Sequence, residues 1–188
     1  FLKCWHNVHH IWHRYKDREA MVVIPLVLWA MYRVVGQFLW LVLTGRGLPQ
    51  SADSKLYLDY ARDMVTHVTD GLDINDVLYF SYNMLLSSLL AIFRDPVVVV
   101  FVQALAVSLS VILVYRIARL LFSKTTAVIG AFFYANTYDV TLWAMYILSD
   151  SFFVIFLLIC VYFFLQALET RERKYRLMFA ASALFLLF

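Results

Sequence analysis

The groups in this 188-residue sequence that could do chemistry are carboxylates placed at the edges of apolar segments. Asp53 follows a turn marked by Gly45, Gly47 and Pro49, and Tyr57 comes one helical turn after it. Asp139 and Asp150 also sit where a polar junction meets an apolar segment, and Arg33 falls inside the first such segment. A carboxylate at a membrane surface can act as a general base on a hydroxyl, and several together can hold a divalent cation. Asp53 and Asp150 are therefore candidate catalytic groups and candidate metal ligands. Tyr57, Arg33 and Asp139 are candidates for substrate binding. A structural reading competes with these, because Asp53, Asp95 and Asp150 each precede a helix and Asp is a favoured N-cap. From periodicity alone, capping is the stronger reading for any one of them. For Arg33, a contact to a lipid phosphate competes with a structural ion pair or with snorkelling in local water.

A second group lies near the start, where His6, His9, His10 and His13 accompany Cys4 at helical spacing. Metal binding is the minority reading there. Lys3, Arg14, Lys16 and Arg18 with Trp5 and Trp12 favour a basic helix on an anionic leaflet.

The elements that must position these groups are membrane helices. The chain is 63% hydrophobic and 15% charged with a mean hydropathy of +0.75, whereas soluble domains carry about 25% charged residues. Spans are expected at about 21–43, 96–117, 125–141, 150–168 and 177–188, the last stopping inside the apolar run FAASALFLLF, so that the chain is expected to continue. Residues 1–20 form a basic cytoplasmic segment. Between the first two spans, 54–68 reads as a surface helix whose apolar face is Leu56, Tyr57, Tyr60, Ala61, Met64 and Val68. The stretch 77–93 is apolar but short and is interrupted by Ser81, Asn83, Ser87 and Ser88.

Charge decides whether 77–93 crosses. If it does not, eleven of the sixteen Lys and Arg fall on the N-terminal side and four on the other. If it does, the N-terminal side keeps five against ten. The positive-inside rule selects the first arrangement. Residues 44–95 then form one outer loop with two interface-lying helices. Nine of the thirteen acids, including Asp53, Asp139 and Asp150, share that outer side. The fold class is all-α: a polytopic transmembrane helix bundle with two juxtamembrane helices.

This layout resembles the GT-C superfamily of membrane glycosyltransferases, the group of protein O-mannosyltransferases and bacterial aminoarabinose transferases. The resemblance is carried by Asp53, Ser54, Tyr57 and Ala61 after the first span. It continues through the apolar stretch with Tyr82, Leu85 and Leu86, then Tyr115, Arg116, Ala118, Arg119, Leu121 and Phe122 at the end of the next span, and Leu148-Ser149-Asp150 opening a later one. Ser54 stands where many members carry a second acid.

The resemblance implies an enzyme that moves a sugar from a polyprenyl-phosphate donor to an acceptor hydroxyl outside the cytoplasm, by an inverting displacement. Asp53 would then be the base, and Asp150 would orient the acceptor or help hold a divalent metal ion. The implied partners are a lipid-linked sugar donor, an acceptor on a lipid, protein or glycan, and membrane lipids, with no nucleic acid. The implied place is the plasma (inner) membrane of a bacterium or the endoplasmic reticulum of a eukaryote. The alternatives are a non-catalytic membrane scaffold or truncated paralogue, and a transporter fragment. A transporter predicts more polar groups inside the spans than Arg33 alone.

Overall fold

The computed structural model describes the backbone of residues 2–66 and 79–187, with side chains over 19–64 and 79–186. The acidic stretch 70–77 and the side chains of Cys4 and the four N-terminal histidines lie outside these ranges. Among the described residues every regular element is helical: α1 (Leu2–Leu43), α2 (Ala52–Thr66), α3 (Phe80–Phe93), α4 (Pro96–Leu121), α5 (Lys124–Asn136), α6 (Tyr138–Trp143), α7 (Ser149–Thr170) and α8 (Arg173–Leu187). Among the described residues three helical stretches are long and apolar enough to cross a membrane: Glu19–Leu43 in α1, then α4 and α7. The chain is thus an all-α membrane bundle.

The basic segment is helical from Leu2 onward, as its spacing predicts, but it is not a separate surface helix. It runs without a break into the first span, making α1 a 42-residue helix. Pro25 lies within it. A proline near the start of the apolar part removes one backbone hydrogen bond, which the flanking turns absorb.

Side-chain contacts fix the direction of each helix. The Glu19 carboxylate lies 3.3 Å from Arg119, the Ser108 hydroxyl donates to the Ala30 carbonyl at 3.5 Å, and the Phe38 and Phe101 rings are 5.6 Å apart. Residue numbers rise along α1 as they fall along α4, so the two helices are antiparallel. The chain therefore leaves α1 and enters α4 at the same end. α3, with 14 residues, is about 21 Å long at ~1.5 Å per residue, well short of the ~30 Å apolar core of a bilayer.

The motif from Tyr115 to Phe122 builds the opposite end. Tyr115 is buried against Ala127 and Ala131, while Arg119 pairs with Glu19 and donates to the Phe122 carbonyl. Ala127, Ala131 and Ala135 repeat every fourth residue along α5, all buried. Small residues at that spacing let two membrane helices approach closely, where dispersion rather than hydrophobic transfer holds them.

The segment expected to span at 125–141 is divided. α5 stops at Asn136, Thr137 is extended, and the short α6 follows. Asn136 and Thr137 turn their side chains back onto the Phe132 and Phe133 carbonyls at 2.7 and 3.1 Å. Such local bonds compete with continuation of a helix. α7 and α8 then form an antiparallel pair, with Phe156 stacked on Phe185 at 4.0 Å and Phe164 near Phe179 at 5.3 Å. α8 begins at Arg173, ahead of the Leu177 expected from hydropathy.

Candidate active site

Of the three aspartates that precede a helix in the sequence, one is a cap. Asp95 accepts from the Val97 amide at 2.8 Å, with Pro96 at the first helical position. At the start of α2 the cap is Ser51. The Ser54 amide donates to the Ser51 hydroxyl at 3.0 Å, and the Ser51 amide donates to the Ser54 hydroxyl at 3.3 Å. This reciprocal pair is a capping box with serine in the usual place of Glu or Gln. It gives Ser54 a structural role at the start of α2. Asp53 is consequently the second residue of α2, exposed, in a turn whose amide dipoles favour a carboxylate.

Asp150 stands in the same relation to α7. The residue before that helix is Leu148, with no side-chain cap bond, and Asp150 is the second helical residue, also exposed.

Tyr57 joins the two helix starts. Its hydroxyl lies 3.1 Å from the Ser149 hydroxyl, across 92 residues of sequence. Its ring meets Tyr82 edge-on at 4.9 Å and Tyr79 at 5.3 Å, and Tyr82 continues to Phe152 at 6.0 Å. Burial pushes the Tyr57 phenol above its ordinary value, partly offset by the Ser149 bond. Burial also raises Tyr82 strongly, helped by Tyr57 and Asp150. Both phenols therefore stay protonated.

The buried face of α2 is Ser54, Tyr57, Leu58 and Ala61. Leu56, assigned to that face from periodicity, is exposed at 46%. The helix is rolled by about one position so that Tyr57 reaches α7.

Two cavities meet at Asp150. The larger, about 270 Å³, runs between α3, the start of α7 and the end of α8. Tyr79, Ser81, Tyr82, Ser149 and Asp150 are its polar residues, and Leu85, Phe153, Phe156 and Phe185 are among its apolar walls. The smaller, about 170 Å³, is lined by Asp139, Asp150, Ser151, Tyr134, Trp143 and apolar neighbours. The fold thus brings Asp150 and Asp139 to one cavity, and Tyr57 to Asp150 through Ser149.

Arg33 lines neither cavity. Its guanidinium donates from Nη1 to the Asn136 carbonyl at 3.2 Å and to Asn136 Oδ1 at 3.1 Å, and the Trp29 indole donates to the same Oδ1 at 3.3 Å. This polar knot closes the C-terminal end of α5, where a cation is favoured.

Among the described residues no three of His, Cys, Asp and Glu converge as a metal site. Asp150 and Asp139 share a cavity. A hard divalent cation can be held by one or two carboxylates with water and substrate phosphate completing its shell. The donor set fits that mode of binding and no richer one.

Two residues were missed in sequence. Gln103, fully buried in α4, donates from Nε2 to the Tyr146, Trp143 and Ala144 carbonyls at 2.7, 3.2 and 3.3 Å. Asn136 receives Arg33. A lone glutamine inside the most apolar span was the available signal for the first, since a polar side chain there needs a partner.

The family model for dolichyl-phosphate-mannose-protein mannosyltransferase matches residues 79–188, more than half of the sequence. The chain belongs to that family. The match takes in Tyr82, Asp139 and Asp150, and begins after Asp53 and Tyr57. No curated protein and no solved structure matches the chain. Membership of this family makes the protein a membrane glycosyltransferase of the mannosyltransferase type, and the expected resemblance to GT-C enzymes holds.

Proposed function

We propose that this mannosyltransferase-family protein moves a sugar from a polyprenyl-phosphate donor to an acceptor hydroxyl at the extracytoplasmic face. The observation that carries this reading is the position of Asp150, at the meeting of an aromatic-walled apolar cleft and a second cavity shared with Asp139. An apolar cleft beside a carboxylate suits a ligand that is part hydrocarbon and part hydroxylated head group. The excess of Lys and Arg at the opposite end of the antiparallel α1–α4 pair supports this sidedness.

In the displacement, the acceptor oxygen forms a bond to the anomeric carbon as the bond from that carbon to the phosphate oxygen breaks. The electron pair leaves with the polyprenyl phosphate, and the hydroxyl proton passes to a carboxylate. Asp53 is the proposed base, exposed in the first turn of α2. Asp150 orients the acceptor, with Asp139 beside it. A divalent ion held by Asp150 and Asp139 would supply positive charge for the leaving phosphate. Tyr57 sets the position of α2 against α7 through Ser149. Arg33 is left out of the step, because its guanidinium is engaged by Asn136.

The test is transfer from radiolabelled dolichyl-phosphate mannose, the donor in the family's name, by the protein in nanodiscs with Asp53→Asn and Asp150→Asn alongside. A general base contributes about 10²–10⁴-fold, so D53N should lose at least that lower factor while remaining monodisperse. D53N activity at the wild-type level would overturn its assignment. Failure of the wild type to bind any polyprenyl-phosphate sugar would overturn the reading as a whole.

A further inference from the structure

The smaller cavity owes its shape to a segment that has almost no structure of its own. α6 is six residues long, and the turn from Ala144 to Leu148 separates it from α7. A six-residue helix has no stability in isolation, since nucleation consumes most of its hydrogen bonds. Its last two carbonyls, of Leu142 and Trp143, accept from the Met145 and Tyr146 amides at 3.0 and 3.2 Å, so the end of the helix depends on how the following turn is held. Yet this segment carries Asp139 and leads within a few residues to Asp150, so something else must fix it.

Both of its ends are held by side chains from the long spans. At the entry, Arg33 of α1 grips Asn136 through the carbonyl and Oδ1. At the exit, Gln103 of α4 gathers the Trp143, Ala144 and Tyr146 carbonyls on one Nε2. That amide group has two hydrogens, so three acceptors share it, the shortest contact being 2.7 Å to Tyr146. Gln103 is fully buried, as are Ala144 and Met145 beside it.

We infer that Gln103 is a positioning residue for the transfer reaction: by collecting the carbonyls at the end of α6 it sets the turn that aims Asp150 at Asp139 across their shared cavity. The inference rests on the reading of Asp150 as a functional group. A side chain that only stabilised the bundle could have bonded within its own helix, as Ser108 does to the Ala104 carbonyl at 2.8 Å. Gln103 instead bonds across 40 to 43 residues, to the last residue of α6 and the turn that follows it.

The experiment reads position independently of catalysis. Asp150→Cys is made in a protein whose native cysteines are replaced, and its rate of labelling by a water-soluble maleimide in nanodiscs is compared with that of Leu184→Cys, an exposed site on α8. Gln103→Met keeps length and removes the donor. Gln103→Glu puts an acceptor in front of three acceptors. The expected result is a severalfold change in labelling at position 150 in Q103M, a larger change in Q103E, and none at position 184. Unchanged labelling at position 150 in both variants would overturn the inference.

Should Q103M fail to fold, Gln103→Asn keeps the donor on a shorter stem, and labelling at position 150 identical to the parent would count against the inference in the same way. In the transfer assay with Asp150 intact, Q103M should lower kcat and leave KM close to the parent value. A KM effect alone would mean that Gln103 acts on binding and would overturn the positioning role. If labelling shifts but the wild type transfers no sugar, the transfer reading has failed and the positioning has not.

Discussion

The Tyr57 hydroxyl and the Ser149 hydroxyl meet at 3.1 Å, joining the first turn and a half of α2 to the first residue of α7. Asp53 lies one turn before one partner, and Asp150 is adjacent to the other. The bond therefore couples two exposed carboxylates that no local sequence rule relates. Neutral hydrogen bonds of this kind contribute about 1 kcal/mol each. Tyr57→Phe and Ser149→Ala should each lower stability by about that amount, and the double variant should cost little more than either alone. Thermal unfolding of the four proteins in nanodiscs checks this, and full additivity would show that the two groups act separately.

Asp95 and Asp53, each at the start of a helix, should fall into different classes. Asp95→Ala removes a cap and should cost about 1 kcal/mol of stability, with transfer retained, because the Asp95 carboxylate accepts from the Val97 amide and lines neither cavity. Asp53→Asn should do the reverse, since Ser51 rather than Asp53 caps α2. Paired measurements of unfolding temperature and transfer rate decide between the classes. Equal stability losses at both positions would argue for capping throughout.

Asn136 and Arg33 should behave as a unit. Asn136→Leu leaves a guanidinium inside a span without its side-chain partner, and a hydrogen bond to a charged group contributes about 1.5–3 kcal/mol. Arg33→Met removes the demand together with the charge. The double variant should therefore be more stable than the two single losses predict, by about 0.5–3 kcal/mol in a double-mutant cycle. A cycle that closes to zero would show that the polar contact at 3.1 Å has no energetic consequence.

Stability should fall in alkaline solution. The phenols of Tyr57 and Tyr82 are both raised above the ordinary 10.0, chiefly by burial. A folded-state pKa above the unfolded value means that the native protein holds the proton more tightly. Its stabilising effect is complete below pH 10 and is lost as pH rises through the folded-state values. The unfolding temperature should be level up to that point and then decline, and Tyr82→Phe should flatten the decline. A Y82F profile that superimposes on the wild type would remove Tyr82 as the source.

Close packing at α5 gives a separate test of the bundle. Ala131 is wholly buried between α5 and α4, in the cluster with Tyr115 and Val111. Ala131→Leu should destabilise by about 1–3 kcal/mol through overpacking, whereas the same change at exposed Gly130 has open space to enter. Equal tolerance at both positions would mean that the helices are not packed as described.

Much of this architecture was legible before any coordinates. The positions of α1, α4 and α7 follow from runs of apolar residues, because hydropathy is a local sum that survives whatever the helices later touch. The expectation that 44–95 stays on one side came from counting Lys and Arg, an additive property of loops. Candidate carboxylates stood out at Asp53, Asp139 and Asp150 because a charge at the edge of an apolar run is expensive wherever it ends up. Other features could not be read this way. Whether Asp53 or Ser51 caps α2 depends on backbone angles across a few residues. Which face of α2 is buried depends on a roll of about one position, which put Leu58 inside and Leu56 out. The division of α5 from α6 at Thr137, the engagement of Arg33 by Asn136 and the reach of Gln103 to the Trp143–Tyr146 carbonyls are decided by how three spans pack. Hydropathy and charge are sums over neighbours in sequence, so the sequence alone determined that this is a membrane bundle and marked Asp53, Asp139 and Asp150 as acids at the edges of its apolar segments. Hydrogen bonds are short and directional across tens of residues, so only the tertiary structure decided which of those acids are held together.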